Sequence, residues 1–134
     1  MIDHHSALLH TMVMVAAADA DMTDQELDKI GELVRYLPVF RDFDPSRIPE
    51  IAAECSALLQ DEDGLDSALD GIRDGLPKRL RETAYAVACD VAAADGRIGQ
   101  EVLRLLELLR HRLELDPLAA AAIERGARAR HQTA

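Results

Sequence analysis

The chain has 134 residues, 49% of them hydrophobic but only 3% aromatic and none tryptophan, and a formal net charge of −10. That length fits one domain over residues 1–134, with a core of Leu, Val, Ile, Met and Ala, a mixture that favours helices over sheets. Net acidity argues against nucleic acid, whose phosphates it would repel, and no apolar run reaches the roughly 18 residues of a membrane span.

The start, Met1-Ile2-Asp3-His4-His5, lacks the basic and unbroken apolar segments of a secretory signal, so a cytoplasmic location is expected. Charge is unevenly spread. Residues 1–67 hold 15 acids against 4 bases, and residues 68–134 hold 10 against 11.

A first helix is expected from Asp3 to Ala18, with Leu8, Leu9, Met12, Val13, Ala16 and Ala17 on one face. Thr23 and Glu26 form a capping box for the second helix. That helix presents Leu27, Ile30, Val34 and Leu37, and Pro38 ends it because proline cannot continue the hydrogen-bond ladder. The connector LPVFRDFDPSRIPEI leads into a third helix near Pro49, lined by Ile51, Ala52, Cys55, Leu58 and Leu59. An acidic loop, Gln60 to Gly64, precedes a short fourth helix through Leu65, Leu69 and Ile72, stopped by Gly75 and Pro77.

A fifth helix runs from about Lys78 to Ala94 along Leu80, Ala84, Val87, Ala88 and Val91, with Gly96 suited to a left-handed cap. The sixth, about Gln100 to Leu115, is apolar nearly all round, as in helices buried between others or packed on a partner. Asp116-Pro117 opens a last helix through Leu118, Ala122 and Ile123. The fold class is therefore all-α, with about seven helices.

One feature repeats. VAAADADMTDQELDKIGELV (residues 15–34) and VAAADGRIGQEVLRLLELLR (residues 91–110) share VAAAD, and Met22/Ile98, Leu27/Leu103, Ile30/Leu106 and Leu33/Leu109 correspond. Both units read as helical hairpins, which suggests two repeats related by a pseudo-two-fold axis. The triple alanines end the first and fifth helices, where small side chains let backbones approach closely.

The aspartates of these turns carry chemistry of their own. Asp19, Asp21 and Glu26 in the first turn, and Asp95 and Glu101 in the second, are hard oxygen donors suited to a divalent cation such as Ca²⁺ or Mg²⁺. Asp95-Gly96-Arg97-Ile98 with a following glutamate is similar to the back half of an EF-hand loop, but the places of that loop's first two ligands fall on Val91 and Ala93. The competing reading makes the aspartates turn and capping residues that bond their own backbone. On the second helix, Asp24, Asp28 and Glu32 follow at i,i+4, a self-repelling stripe that is either a solvated face or a surface for a cation or basic partner.

A helix, an AAAD(A/G) turn, a glutamate and an apolar helix, present twice, resemble the TerB family of tellurite-resistance proteins. The likeness runs from about Ser6 to the C-terminus and includes VFRDFDP and ETAYAVACDVAAADG. The resemblance implies an all-helical cytoplasmic protein of bacterial stress and metal resistance, holding metal through its acidic turns and working beside a membrane partner. Carried over by position, the implied ligands are Asp19 and Glu26, then Asp95 and Glu101. The sequence departs from the family pattern at Ala20, which stands where glycine is expected, and at Glu101, which sits one place early.

The remaining constellations favour structural roles. Cys55 and Cys89 sit alone in apolar helical patterns and read as reduced core thiols. His4, His5 and His10 lack ligand spacing and read as a flexible polar end, with Met12 and Met14 in the core. Ser6, Ser46, Ser56 and Ser67 lie on no nucleophile elbow and no glycine-rich phosphate loop occurs, so an enzyme is not expected. Basic groups at Lys78, Arg79 and Arg81, at Arg110, His111 and Arg112, and at Arg125, Arg128 and Arg130 balance local acids near helix ends, or, for the last set, meet an anionic membrane surface or an acidic partner. The expectation is a binding module that takes a divalent cation weakly and engages a protein partner, with a homodimer among the assemblies the sequence admits. The alternative is a metal-free adaptor whose aspartates are only caps.

Overall fold

A computed structural model describes residues 1–18, 23–94 and 98–134. These residues form seven α-helices and, among them, no strand: α1 (His4–Ala17), α2 (Asp24–Tyr36), α3 (Ile48–Leu59), α4 (Gly64–Gly75), α5 (Arg81–Ala93), α6 (Gln100–Arg112) and α7 (Pro117–Arg130). Short 3-10 turns at Pro38–Phe40, Pro45–Arg47 and Lys78–Leu80 fill the connectors. Among the described residues no helix is long and apolar enough to cross a membrane.

α1 is the centre of the molecule. Asp3 caps it, accepting the Ser6 amide at 2.8 Å, and every residue from Ser6 to Ala16 is buried because α3, α4 and α5 pack around it. The sequence pattern assigned all-round burial to α6 instead. The difference lies in the polar residues. Thr11 turns its hydroxyl onto the Ala7 carbonyl at 2.8 Å and so enters the core satisfied, whereas α6 is interrupted by Arg104, Glu107 and Arg110, and its Leu103 is 49% exposed.

α5 packs along α1 and also supports α2, α6 and α7. Of each alanine triplet only the first member is buried, Ala16 and Ala92; Ala17 is exposed and Ala93 half-buried. The close-packing reading of the triplets therefore applies to one residue in each. The α1–α5 contact is otherwise made within a core that includes Leu8, Met12, Val15, Ala84, Val87, Ala88 and Val91.

The histidine-rich start is docked rather than loose. His5 Nε2–H donates to the Val39 carbonyl at 2.8 Å, and its ring lies 5.5 Å from Phe40 and 5.1 Å from Phe43 between centroids. The only two phenylalanines of the chain thus pin the connector after α2 onto the first turn of α1. Met12 and Met14 are core residues, as their pattern suggests, and His10 is buried beside them.

α2 stops at Tyr36 because Leu37, preceding Pro38, adopts the extended conformation that proline imposes on its neighbour. The turn between α3 and α4 needs a glycine for space: a Cβ on Gly64 would stand 2.2 Å from the Leu58 carbonyl oxygen. α6 ends at Arg112, earlier than the expected Leu115, in a Schellman motif. The Glu114 amide donates to His111 at 3.0 Å and the Leu115 amide to Arg110 at 3.2 Å, with Glu114 itself left-handed at φ 55°. In α7 the inward side is Ala120 and Ala127, with Ile123 half-buried, whereas Leu118 is 79% exposed and Ala122 exposed.

Several cations of the basic groups meet local acids. Arg112 on α6 reaches Asp70 at 2.6 Å and Asp66 at 3.1 Å on α4, Arg110 reaches Glu124 at 3.5 Å, and Arg130 reaches Asp90 at 2.7 Å.

Candidate functional site

The first acidic turn joins α1 to α2. Asp19 and Asp21 lie outside the described residues; Glu26 lies on the first turn of α2 and is only 4% exposed. Thr23 donates to Glu26 Oε1 through both its amide (2.9 Å) and its hydroxyl (3.0 Å), and Thr23 Oγ1 accepts the Glu26 amide at 3.2 Å. This is the expected capping box, and both bonds to the carboxylate converge on Oε1; neither uses Oε2. The next residue, Leu27, is 49% exposed. The inward stripe of α2 is therefore Glu26, Ile30, Leu33 and Val34, and the expected place of Leu27 in it is taken by an acid. On the outer side Asp24, Asp28 and Glu32 are all exposed, with Lys29 Nζ 3.3 Å from Glu32.

The second turn is built differently. Asp95, Gly96 and Arg97 lie outside the described residues, so the left-handed cap expected at Gly96 does too. Gly99 occupies the N-cap of α6 and offers no side chain to the orphan amides. Glu101 is exposed, and its Oε2 reaches to 3.5 Å from where a Cβ on Gly99 would stand. The two candidate glutamates thus differ in kind: Glu26 is buried and committed to a cap, whereas Glu101 is exposed on a helix start whose N-cap residue, Gly99, has no side chain to give. Among the described residues, no three His, Cys, Asp or Glu side chains converge as a metal cluster.

A second feature follows from the packing of the last three helices. α6 and α7 both rest on α5 but make little contact with each other. The result is an open groove of about 490 Å³, within the range that holds small ligands. Tyr85, Cys89 and Ala92 form its floor at i, i+4 and i+7 on α5. Leu103, Leu106, Glu107 and Arg110 of α6 make one wall, and Glu124, Ala127, Arg128 and His131 of α7 make the other. Ile98, 46% exposed, extends the apolar lining toward the second turn.

The thiol and the phenol of the groove are held in their neutral forms. Burial pushes the Cys89 thiol up to about 12, too high for a thiolate at neutral pH. Burial, then the bond to Glu124, also raises Tyr85 well above the ordinary phenol value. His131 directs Nδ1 at the Ala127 carbonyl, 2.8 Å away; because a carbonyl only accepts, Nδ1 carries the proton. Cys55 is likewise raised, to about 11, by burial in the core. Both cysteines are buried free thiols.

The family model described as "Tellurite resistance protein TerB" matches residues 5–124, nearly the whole chain. The chain belongs to the TerB family. Comparison with curated proteins and with solved structures gave no match. The TerB match spans both acidic turns and the starts of α2 to α7. It ends at Glu124, so Ala127, Arg128 and His131 of the groove lie beyond it.

Sequence reasoning singled out the turns and missed the groove. The pattern places Cys89 in the core and Ala92 in a close-packed triplet, and reads Arg110 and Arg128 among the basic groups near helix ends; it singles out neither Tyr85 nor Glu124. Only the divergence of α6 from α7 brings them to one place.

Proposed function

We propose that this TerB-family chain is a non-catalytic binding module that takes up Ca²⁺ or Mg²⁺ weakly at its acidic turns and engages a protein partner in the cytoplasm, beside a membrane. The observation that carries the cation reading is the position of Glu101. It is an exposed carboxylate on the first turn of α6, whose N-cap residue Gly99 has no side chain, six residues after Asp95 in sequence. Asp19 and Asp21, with Glu26 Oε2 outside the capping bonds, offer a comparable donor set in the first turn. Neither turn alone supplies the roughly 6–8 oxygens that Ca²⁺ takes, so water and backbone carbonyls complete the shell, and binding is weak.

The test is thermal melting of the full chain against Ca²⁺ and Mg²⁺. An ion at 100 times its dissociation constant adds roughly 2.7 kcal/mol of stability. Asp19→Asn and Glu101→Gln together should abolish the rise in Tm. No rise with either ion, or a rise that the double variant keeps, would overturn the cation reading.

A second reading is favoured by the capping box itself, which gives Glu26 a complete structural reason to exist. In that reading the chain is a metal-free adaptor, and partner capture survives the Asp19→Asn, Glu101→Gln variant undiminished.

A further inference from the structure

We propose that the groove between α5, α6 and α7 binds a small anionic amphiphile, with its hydrocarbon tail on Ala92, Leu103, Leu106 and Ala127 and its acid group met by Arg128. The inference is independent of the cation reading and concerns a different part of the molecule.

Shape comes first. The floor on α5 spans seven residues from Tyr85 to Ala92, a length of roughly 10 Å at 1.5 Å per residue. A helix with its side chains is about 10–12 Å across, so a partner helix would insert only side-chain tips into a space of about 490 Å³. A narrow hydrocarbon chain fills such a space along its length. The lining is dominated by carbon, and Leu103 and Ile98 stand half-exposed along it. A bound tail would remove that apolar surface from water.

Charge selects the headgroup. Both acids among the described lining residues have a cation, Glu107 pairing with Arg104 at 3.4 Å and Glu124 with Arg110 at 3.5 Å, and Asp90, next to the floor residue Cys89, pairs with Arg130 at 2.7 Å. Tyr85 adds a hydrogen bond to Glu124, which holds that carboxylate further from any ligand. Among the described residues no acid pairs with Arg128, which is exposed on the α7 wall. Gln132, also exposed, adds amide donors one turn further on. The complement of an apolar trough with one surplus guanidinium is a tail that ends in a carboxylate.

Isothermal titration of the full chain with monomeric octanoate, decanoate, decanol and decyltrimethylammonium tests this. Decanoate should bind once per chain, roughly tenfold more tightly than octanoate because two more methylenes are buried. Decanol should bind more weakly than decanoate, and decyltrimethylammonium most weakly. Arg128→Gln should bring decanoate down to the affinity of decanol and leave decanol unchanged. Leu103→Glu should weaken both, with the helical circular dichroism of each variant kept, since both positions are exposed. The proposal is overturned by any of four results: no decanoate binding, equal affinity for the cationic amphiphile, affinities indifferent to both substitutions, or binding only to phosphatidylglycerol vesicles. A partner peptide that binds in the groove while decanoate does not displace it would also overturn it.

Discussion

Tyr85 on α5 donates its hydroxyl to Glu124 Oε2 on α7 at 2.5 Å, and Arg110 on α6 approaches the same oxygen at 3.5 Å. One carboxylate oxygen thereby ties together three helices, two of which make little contact with each other. Tyr85→Phe keeps the packed ring and deletes only the donor. It should cost about 1–2 kcal/mol, the range for losing a hydrogen bond to a charged acceptor that keeps a second partner. Urea unfolding would measure it, and a cost near zero would mean that the hydroxyl adds nothing to the packing of α7 on α5.

The capping box separates structure from charge. Thr23→Ala removes the acceptor for the Glu26 amide and one donor to Oε1, and should destabilise the chain by about 1 kcal/mol. Glu26→Gln keeps the box, because glutamine serves the same position, and should stay within about 0.5 kcal/mol of the parent. Denaturant midpoints of the two variants should therefore differ in that order. The reverse order would show that the negative charge of Glu26, not its geometry, matters.

His10 sets a pH dependence. Its side chain is buried in α1, no partner meets Nε2, and burial holds its pKa below the ordinary 6.5, with Glu54 opposing the shift. The folded chain therefore holds His10 neutral while the unfolded chain takes up a proton below pH 6.5. Stability from this group is complete above pH 6.5 and falls as pH drops from 6.5 toward the folded value, with a slope of at most about 1.4 kcal/mol per pH unit. Asp3 and Asp44 are held below their ordinary 3.8, chiefly by backbone hydrogen bonds from Ser6 and Ser46, so their contribution is lost only at still lower pH. His10→Leu should flatten the decline that begins below pH 6.5 while leaving the acid limb below pH 4. An unchanged decline in this variant would assign it elsewhere.

Glu114 is the one non-glycine residue with positive φ among the described residues, and it occupies the left-handed position of the Schellman motif that ends α6. A Cβ there is strained, and a carboxylate sits badly against the negative end of a helix. Glu114→Gly should stabilise the chain by about 0.5–1 kcal/mol, read as a rise of a few degrees in Tm. A loss of stability would mean that the entropy of the added glycine outweighs the relieved strain.

The helices and their ends were written in local sequence. Asp3, Thr23 with Glu26, Pro38, Pro49, Gly75 and Asp116-Pro117 mark boundaries through interactions spanning four residues or fewer, which is why they can be read without a fold. The TerB family was legible for the same reason, since its AAAD turns are short contiguous motifs. Asp19, Asp21, Asp95 and Glu101 remain candidates named by residue type and spacing.

Which face each helix buries was decided only by the tertiary structure. Periodicity counts Leu27, Leu103 and Leu118 as inward because they are apolar. Yet burial depends on which neighbour arrives, and Glu26 and His10 go inside while those leucines do not. A capped carboxylate or an imidazole can be buried when its helix is surrounded; a leucine stays wet when nothing packs over it. The groove is the same effect on a larger scale. Arg110, Glu124 and Tyr85 are up to 39 residues apart in sequence, and they meet because α5 supports two helices that lean away from each other.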